Sequence, residues 1–136
     1  MKHFKKPDGS FWAFNSDGSQ DHLITQGMTP VTLAEIEAAN NPPPTAEQII
    51  AAFTAAIQAR LDAFAQTRLY DGILSVCTYA TSSVPSFAAE AAYCVAQRDA
   101  TWEAGYTILA DVQGGRRSMP TVEQVMAELP ALEWPQ

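Results

Sequence analysis

The sequence predicts an α+β fold: a small N-terminal β-hairpin module followed by a mainly α-helical hairpin or bundle. Three observations predict it. Two Asp-Gly turn signals flank the aromatic run Phe11–Phe14. Three consecutive prolines, Pro42, Pro43 and Pro44, interrupt the chain. Beyond them, apolar residues recur every three or four positions through alanine-rich stretches, the signature of a helix face. The expected layout is a hairpin module with a short helix over 1–41, a stiff spacer over 42–45, and a helical domain over 46–136.

The hairpin comes first. His3 to Lys6 and Ser10 to Phe14 are the expected strands, joined by Pro7-Asp8-Gly9. Proline presets φ for the first turn position, and glycine supplies a positive φ. On a strand, Phe11 and Ala13 share one face and Trp12 and Phe14 the other. Large apolar groups therefore point to both sides. Asn15 to Gly18 is a second turn, and residues 19–28 read as extended or irregular, anchored by Leu23, Ile24 and Met28. Thr32 then caps a short helix, with Glu35 at the reciprocal capping-box position. Leu33, Ile36 and Ala39 form its stripe, and Asn40-Asn41 ends it.

After the prolines, which favour an extended spacer, Thr45 is a natural cap with Gln48 three residues on. A helix from Ala46 to about Arg68 carries Ile50, Phe53, Ile57, Leu61 and Phe64 on one face. A shorter helix is expected within Asp71–Tyr79. Pro85 suits the start of a long helix from about Ser86 to Val112. Its stripe contains Phe87, Ala91, Cys94, Arg98, Trp102, Leu109 and Val112. Gly114-Gly115 stops it, Thr121 with Gln124 opens a last short helix, and Pro130 ends that one. The two long helices, ~35 and ~40 Å at 1.5 Å per residue, would form an antiparallel hairpin with the 71–79 segment across it. Such a thin layer leaves apolar surface for another protein. A hairpin of this kind can also self-associate, so a homo-oligomer stays open.

Composition narrows the function. The chain has 136 residues, of which 47% are hydrophobic, and a formal charge of −7. That acidity repels phosphate backbones and anionic membranes, so neither nucleic acid nor membrane is the expected partner. There is no run of ~18 apolar residues for a spanning helix. No apolar region follows the basic N-terminus, so no secretory leader is expected. Cys77 and Cys94 lack metal-ligand spacing and read as reduced packing residues, with a disulfide between them left open.

No catalytic, cofactor or metal motif is found. His3 and His22 stand outside any nucleophile or ligand pattern. Asp111 to Arg117, "DVQGGRR", follows a helix rather than a strand, as a C-cap does and a phosphate cradle does not. Arg98 and Trp102, four apart on one helical face, can form a cation–π pair, or Arg98 can reach a carboxylate of another helix or of a partner. Asp99 and Glu103 form an acidic i, i+4 pair, which reads as a solvated face rather than acid–base machinery.

The opening resembles that of phage and prophage tail fibre assembly proteins, or tail fibre chaperones. The residues that carry this are Phe4, Phe11, Phe14, "DGSQD" at 17–21, Ile24 and "MTPVTLAEIE" at 28–37. The helical part is similar to helical domains of such phage proteins at Arg68-Leu69-Tyr70-Asp71, Phe87, Glu90, Arg98-Asp99, Trp102, "GGRRSMP" and "LPALEW". The resemblance implies a non-enzymatic protein that binds a tail fibre, at its distal, C-terminal part, and helps it fold, trimerise or attach. It acts in the host cytoplasm during assembly, with some members staying on the virion. No cofactor and no catalytic residue is implied. Phe11, Trp12, Phe14, Arg98 and Trp102 are the expected partner-binding residues. The alternative for Trp12 and Phe14 is packing against residues 23–36 or the helices. The alternative for the whole chain is a structural virion component, a tip or adaptor protein. A fibre-processing enzyme built on Asp99 and Glu103 is the third reading.

Overall fold

The computed structural model describes residues 1–136. The chain is α+β and divides into two compact units, residues 1–45 and 46–136.

In the first unit, strands β1 (Lys2–Lys5) and β2 (Phe11–Phe14) pair antiparallel, with Phe4 opposite Trp12 and Lys2 opposite Phe14. The turn between them is built by Asp8. Its carboxylate accepts from the Ser10 N–H at 2.9 Å and the Ser10 hydroxyl at 2.6 Å, while Gly9 takes φ +89°. The second Asp-Gly-Ser repeats this arrangement. Asp17 accepts from the Ser19 N–H at 2.9 Å and its hydroxyl at 2.7 Å, around Gly18 at φ +83°. These hydroxyl and amide donors hold both carboxyls below the usual range.

The module is a three-stranded sheet rather than a hairpin alone. Strand β3 (Thr29–Val31) pairs antiparallel with β1, giving the order β2-β1-β3. Proline is depleted in strands, and Pro30 hid this one. At a sheet edge it is tolerated, because its missing N–H falls on the unpaired side. Within 19–28, Asp21–Leu23 forms a 3-10 turn, and Lys2 ties it to the sheet through an ion pair with Asp21 at 2.7 Å.

Helix α1 (Leu33–Asn40) starts with the expected capping box. Thr32 Oγ1 accepts from the Glu35 N–H, and the Glu35 carboxylate accepts from the Thr32 N–H at 2.7 Å. Its stripe is not buried: Leu33 and Ala39 are exposed and Ile36 is half-covered. Phe14 is the one fully buried side chain of this unit, edge-on to Phe4 at 5.9 Å.

The second unit contains α2 (Ala46–Gln66), α3 (Ile73–Cys77) continued by a 3-10 turn over Thr78–Thr81, α4 (Pro85–Gln113) and α5 (Val122–Glu128). Helices α2 and α4 run antiparallel. Phe64 meets Tyr93 at 6.4 Å at one end, and Ile57 faces Gly105 toward the other. The core joins Ile57, Leu61 and Phe64 of α2 to Ile73 and Val76 of α3, Cys94 and Ile108 of α4, and Val125 of α5.

The expected α2 stripe is therefore the buried face from Ile57 onward, while Ile50 and Phe53 are half-covered. On α4 the pattern differs more. Ala91 and Cys94 are buried as expected, but Phe87 is exposed, and Thr101, a polar residue, is fully buried. Its hydroxyl donates to the Gln97 carbonyl at 2.7 Å, so nothing is left unpaired there. Cys77 and Cys94 are free thiols, and burial raises both, Cys94 to about 11.

Polar groups set the ends of the elements. Asp62 of α2 accepts from the Ile73 N–H at 2.9 Å and so caps α3. Gly114 and Gly115, the latter at φ +71°, end α4. Thr121 and Gln124 form the expected capping box of α5. Arg117 grips Glu128 through two bonds of 2.7 and 2.8 Å, joining the loop to the end of α5.

Candidate partner-binding surface

The end of α2 organises the most developed surface of the helical unit. The chain turns there through Leu69, at φ +67°. This turn swings Tyr70 inward, where its hydroxyl donates to Glu90 of α4 at 2.7 Å. Arg68 donates to the other oxygen of the same carboxylate. Glu90 therefore receives a phenol and a guanidinium at once, and the hydrogen bond from the phenol, then the hydrogen bond and charge of the guanidinium, hold its pKa below the ordinary value. Tyr70 is pushed up to about 12, first by burial and then by Glu90.

An aromatic stack supports this point from below. The Trp134 indole lies on Phe64 at 4.3 Å, with Tyr70 and Tyr93 at 6.5 and 6.4 Å. The Arg68 guanidinium stands over the same indole at 4.7 Å. The indole N–H donates to Thr67 Oγ1 at 2.8 Å, so the polar atom of this half-buried side chain is satisfied. Arg60 holds that tail through the Pro130 carbonyl at 2.8 Å.

Outward from the stack, Tyr79 sits between Tyr70 and Phe87, at 5.7 and 5.6 Å. Arg68, Leu69, Tyr70, Tyr79, Phe87 and Glu90 line one open recess of about 390 Å³. Its floor is fixed by stacking and by a shared carboxylate. Its rim is apolar and exposed at Leu69, Tyr79 and Phe87. The rings of Tyr70, Tyr79 and Phe87 restrain one another by contact, which lowers the entropic cost of any binding to them.

The expected partner residues are placed elsewhere and differ among themselves. Phe14 is interior to the sheet module. Trp12 shares its face but is 48% exposed, with the Lys6 ammonium 4.0 Å over the ring and the indole N–H on Ser10 Oγ at 3.1 Å. Phe11 is half-buried on the opposite face, with Lys5 at 5.9 Å. Arg98 does not stack on Trp102. Its guanidinium turns to the adjacent Asp99, at 3.0 Å. The close carboxylate outcompetes the ring, since an ion pair with hydrogen bonds exceeds an exposed cation–π contact. Trp102 instead tilts against Tyr106 and lines an apolar cleft of about 90 Å³ between α2, α4 and α5. The acidic pair is split in role too: Asp99 is engaged by Arg98 and Glu103 faces solvent.

Trp134 and Tyr79 were not among the expected site residues. Trp134 belongs to a tail without periodicity, so no face could be assigned to it. Arg68, Leu69, Tyr70, Phe87 and Glu90 are dispersed over 23 positions, and the antiparallel pairing of α2 with α4 is what gathers them.

No group of three or more His, Cys, Asp or Glu is placed to hold a metal ion, and no helix is long and apolar enough to cross a membrane. No family model, curated protein or solved structure matches the chain.

Proposed function

We propose that this chain is a tail fibre assembly chaperone, which binds the distal, C-terminal part of a phage tail fibre polypeptide and assists its folding, trimerisation or attachment. It works by non-covalent binding in the host cytoplasm. The observation that carries the reading is the recess at the end of α2. Five residues that carry the resemblance, Arg68, Leu69, Tyr70, Phe87 and Glu90, line it together.

The physical logic is simple. A fibre chain awaiting its trimer partners exposes apolar surface and unpaired strand edges, both of which aggregate. The helical unit offers a preformed apolar rim to the first. The sheet module offers an open edge at β2 to the second, since β1 is central and Pro30 leaves β3 without an outward N–H. Trp12, exposed on that module, is its natural aromatic contact.

The test is the yield of soluble fibre trimer in cells expressing the fibre polypeptide of the same phage or prophage, with and without this chain. The proposal expects trimer yield to fall several-fold when the chain is omitted. Equal yield would contradict it. Assay of purified particles for the chain then separates a transient chaperone from a retained tip or adaptor protein.

A further inference from the structure

Leu69 is the one non-glycine residue with a positive φ. The hydrogen bonds around it define its place. The Tyr70 N–H donates to the Ala65 carbonyl at 3.4 Å, and the Leu69 N–H to the Gln66 carbonyl at 3.0 Å. That pair of bonds is a Schellman closure, and Leu69 occupies the left-handed position where glycine is usual. A Cβ there crowds the backbone, and leucine lacks the short polar side chain that lets asparagine tolerate it.

An apolar side chain can offset such strain by burial. Leu69 does the opposite: it is 95% exposed, the most exposed large apolar residue of the chain. Glycine would close α2 with the same two bonds and no strain. A local rule broken with no gain to the fold points to a role outside the fold.

We propose that Leu69 is the anchor with which the helical unit grips its protein partner, entering an apolar socket with a basic rim. The inference rests on the chaperone reading and names the contact through which it acts. The socket is apolar because leucine has only hydrocarbon to offer, and Tyr79 and Phe87 extend that surface across the same recess. The rim is basic by charge complementarity. Residues 46–136 carry ten carboxylates, five arginines and no lysine. Arg68, the nearest cation, is neutralised by Glu90, while Asp71 is exposed and in none of the ion pairs. A second copy would set two surfaces of the same sign together, which like-charge repulsion opposes. The closed turn fixes the backbone beneath the anchor and holds the side chain clear of the surface before binding, so no backbone ordering is needed on docking.

The test compares wild type, Leu69→Gly and Leu69→Met, each measured for melting temperature and for affinity to the co-expressed fibre polypeptide. Leu69→Gly is expected to raise the melting temperature by about 4 °C, as relief of strain in a domain this size should, while weakening fibre binding about tenfold or more. Leu69→Met keeps the apolar reach and should bind within about threefold of wild type, with affinity falling as salt rises. Stability and binding thus move in opposite directions, which a residue serving the fold cannot do. Leu69→Gly binding like wild type would overturn the anchor and leave the chaperone reading intact. A lowered melting temperature in Leu69→Gly would also overturn it, by showing that the fold needs the side chain. Failure of wild type itself to bind the fibre would remove the chaperone reading and the anchor together. A wild-type dimer that Leu69→Gly dissociates would replace the partner with a second copy.

Discussion

The Trp134 indole lies nearly flat on the Phe64 ring, with 4.3 Å between centroids and 16° between planes. Phe64 belongs to α2 and Trp134 to the irregular tail, so this stack, together with the Arg60–Pro130 and Trp134–Thr67 hydrogen bonds, fixes the tail to the helical unit. Trp134→Ala should destabilise that unit by about 2–3 kcal/mol. This falls below the ~3–5 of a fully buried aromatic because the indole keeps part of its surface in water. Denaturant unfolding followed by the helical circular dichroism signal measures it. A loss under about 0.5 kcal/mol would mean the tail is not held by this contact.

Trp12 and Phe14 face the same side of β2 but should respond differently. Phe14→Ala removes the buried ring of the sheet module and should unfold it locally, with loss of amide protection in residues 2–31. Trp12→Ala removes an exposed ring and should change stability by less than about 1 kcal/mol. On the proposed function, Trp12→Ala weakens fibre binding without unfolding the module. Loss of protection in Trp12→Ala equal to that in Phe14→Ala would place both in the interior.

The Tyr70–Glu90–Arg68 contact makes stability depend on pH at both ends. Glu90 is held below its ordinary value of 4.5 in the folded state. Its contribution is therefore complete above that value and lost as pH falls through the folded value. Tyr70 is raised from 10.0 to about 12, so its contribution is complete below 10 and lost as pH rises toward 12. Glu90→Gln should flatten the acid limb of unfolding free energy against pH, relative to wild type. Parallel acid limbs for the two proteins would show that Glu90 carries none of the dependence.

Two glycines of the helical unit should give opposite results. A Cβ at Gly105 would meet only the Ile57 Cδ1, at 3.0 Å, and Ile57 borders the apolar cleft into which that methyl can shift. Gly105→Ala removes a helix-interior glycine and should stabilise by about 0.5 kcal/mol. A Cβ at Gly72 would meet Asp62 Oδ1 at 2.7 Å, the atom that caps α3. Gly72→Ala should cost about 1–3 kcal/mol by displacing that charged acceptor. Chemical denaturation of both variants checks the pair. Stabilisation by Gly72→Ala would mean Asp62 is free to move.

Much of the fold was legible in the sequence, for identifiable reasons. The capping boxes at Thr32 and Thr121 use a fixed three-residue spacing, so sequence alone states the geometry. The α2 stripe repeats through Ile57, Leu61 and Phe64 strongly enough to mark the buried face. Strand β3 was not legible, because Pro30 is read as a breaker unless the strand is known to lie at an edge. The alternation in β2 places Trp12 with Phe14, but it cannot say which ring the rest of the module covers. The Arg98–Trp102 spacing suits a cation–π pair, yet the rotamer of Arg98 is decided by Asp99 beside it.

The candidate site was legible only in pieces. Arg68, Tyr70, Phe87 and Glu90 carry no shared local pattern; tertiary pairing of α2 with α4 brings them together. The positive φ of Leu69 has no sequence signal at all, since the usual marker for that position is a glycine. Trp134 joins them from a tail where neither helix nor strand periodicity applies.

The central claim is that this chain binds a tail fibre polypeptide. The most direct measurement is co-expression with that fibre, followed by size-exclusion chromatography with light scattering. The account predicts a complex of defined mass, with a whole-number ratio of this chain to the fibre chain or trimer. Complete separation of the two, with the fibre trimeric whether or not this chain was present, would contradict it.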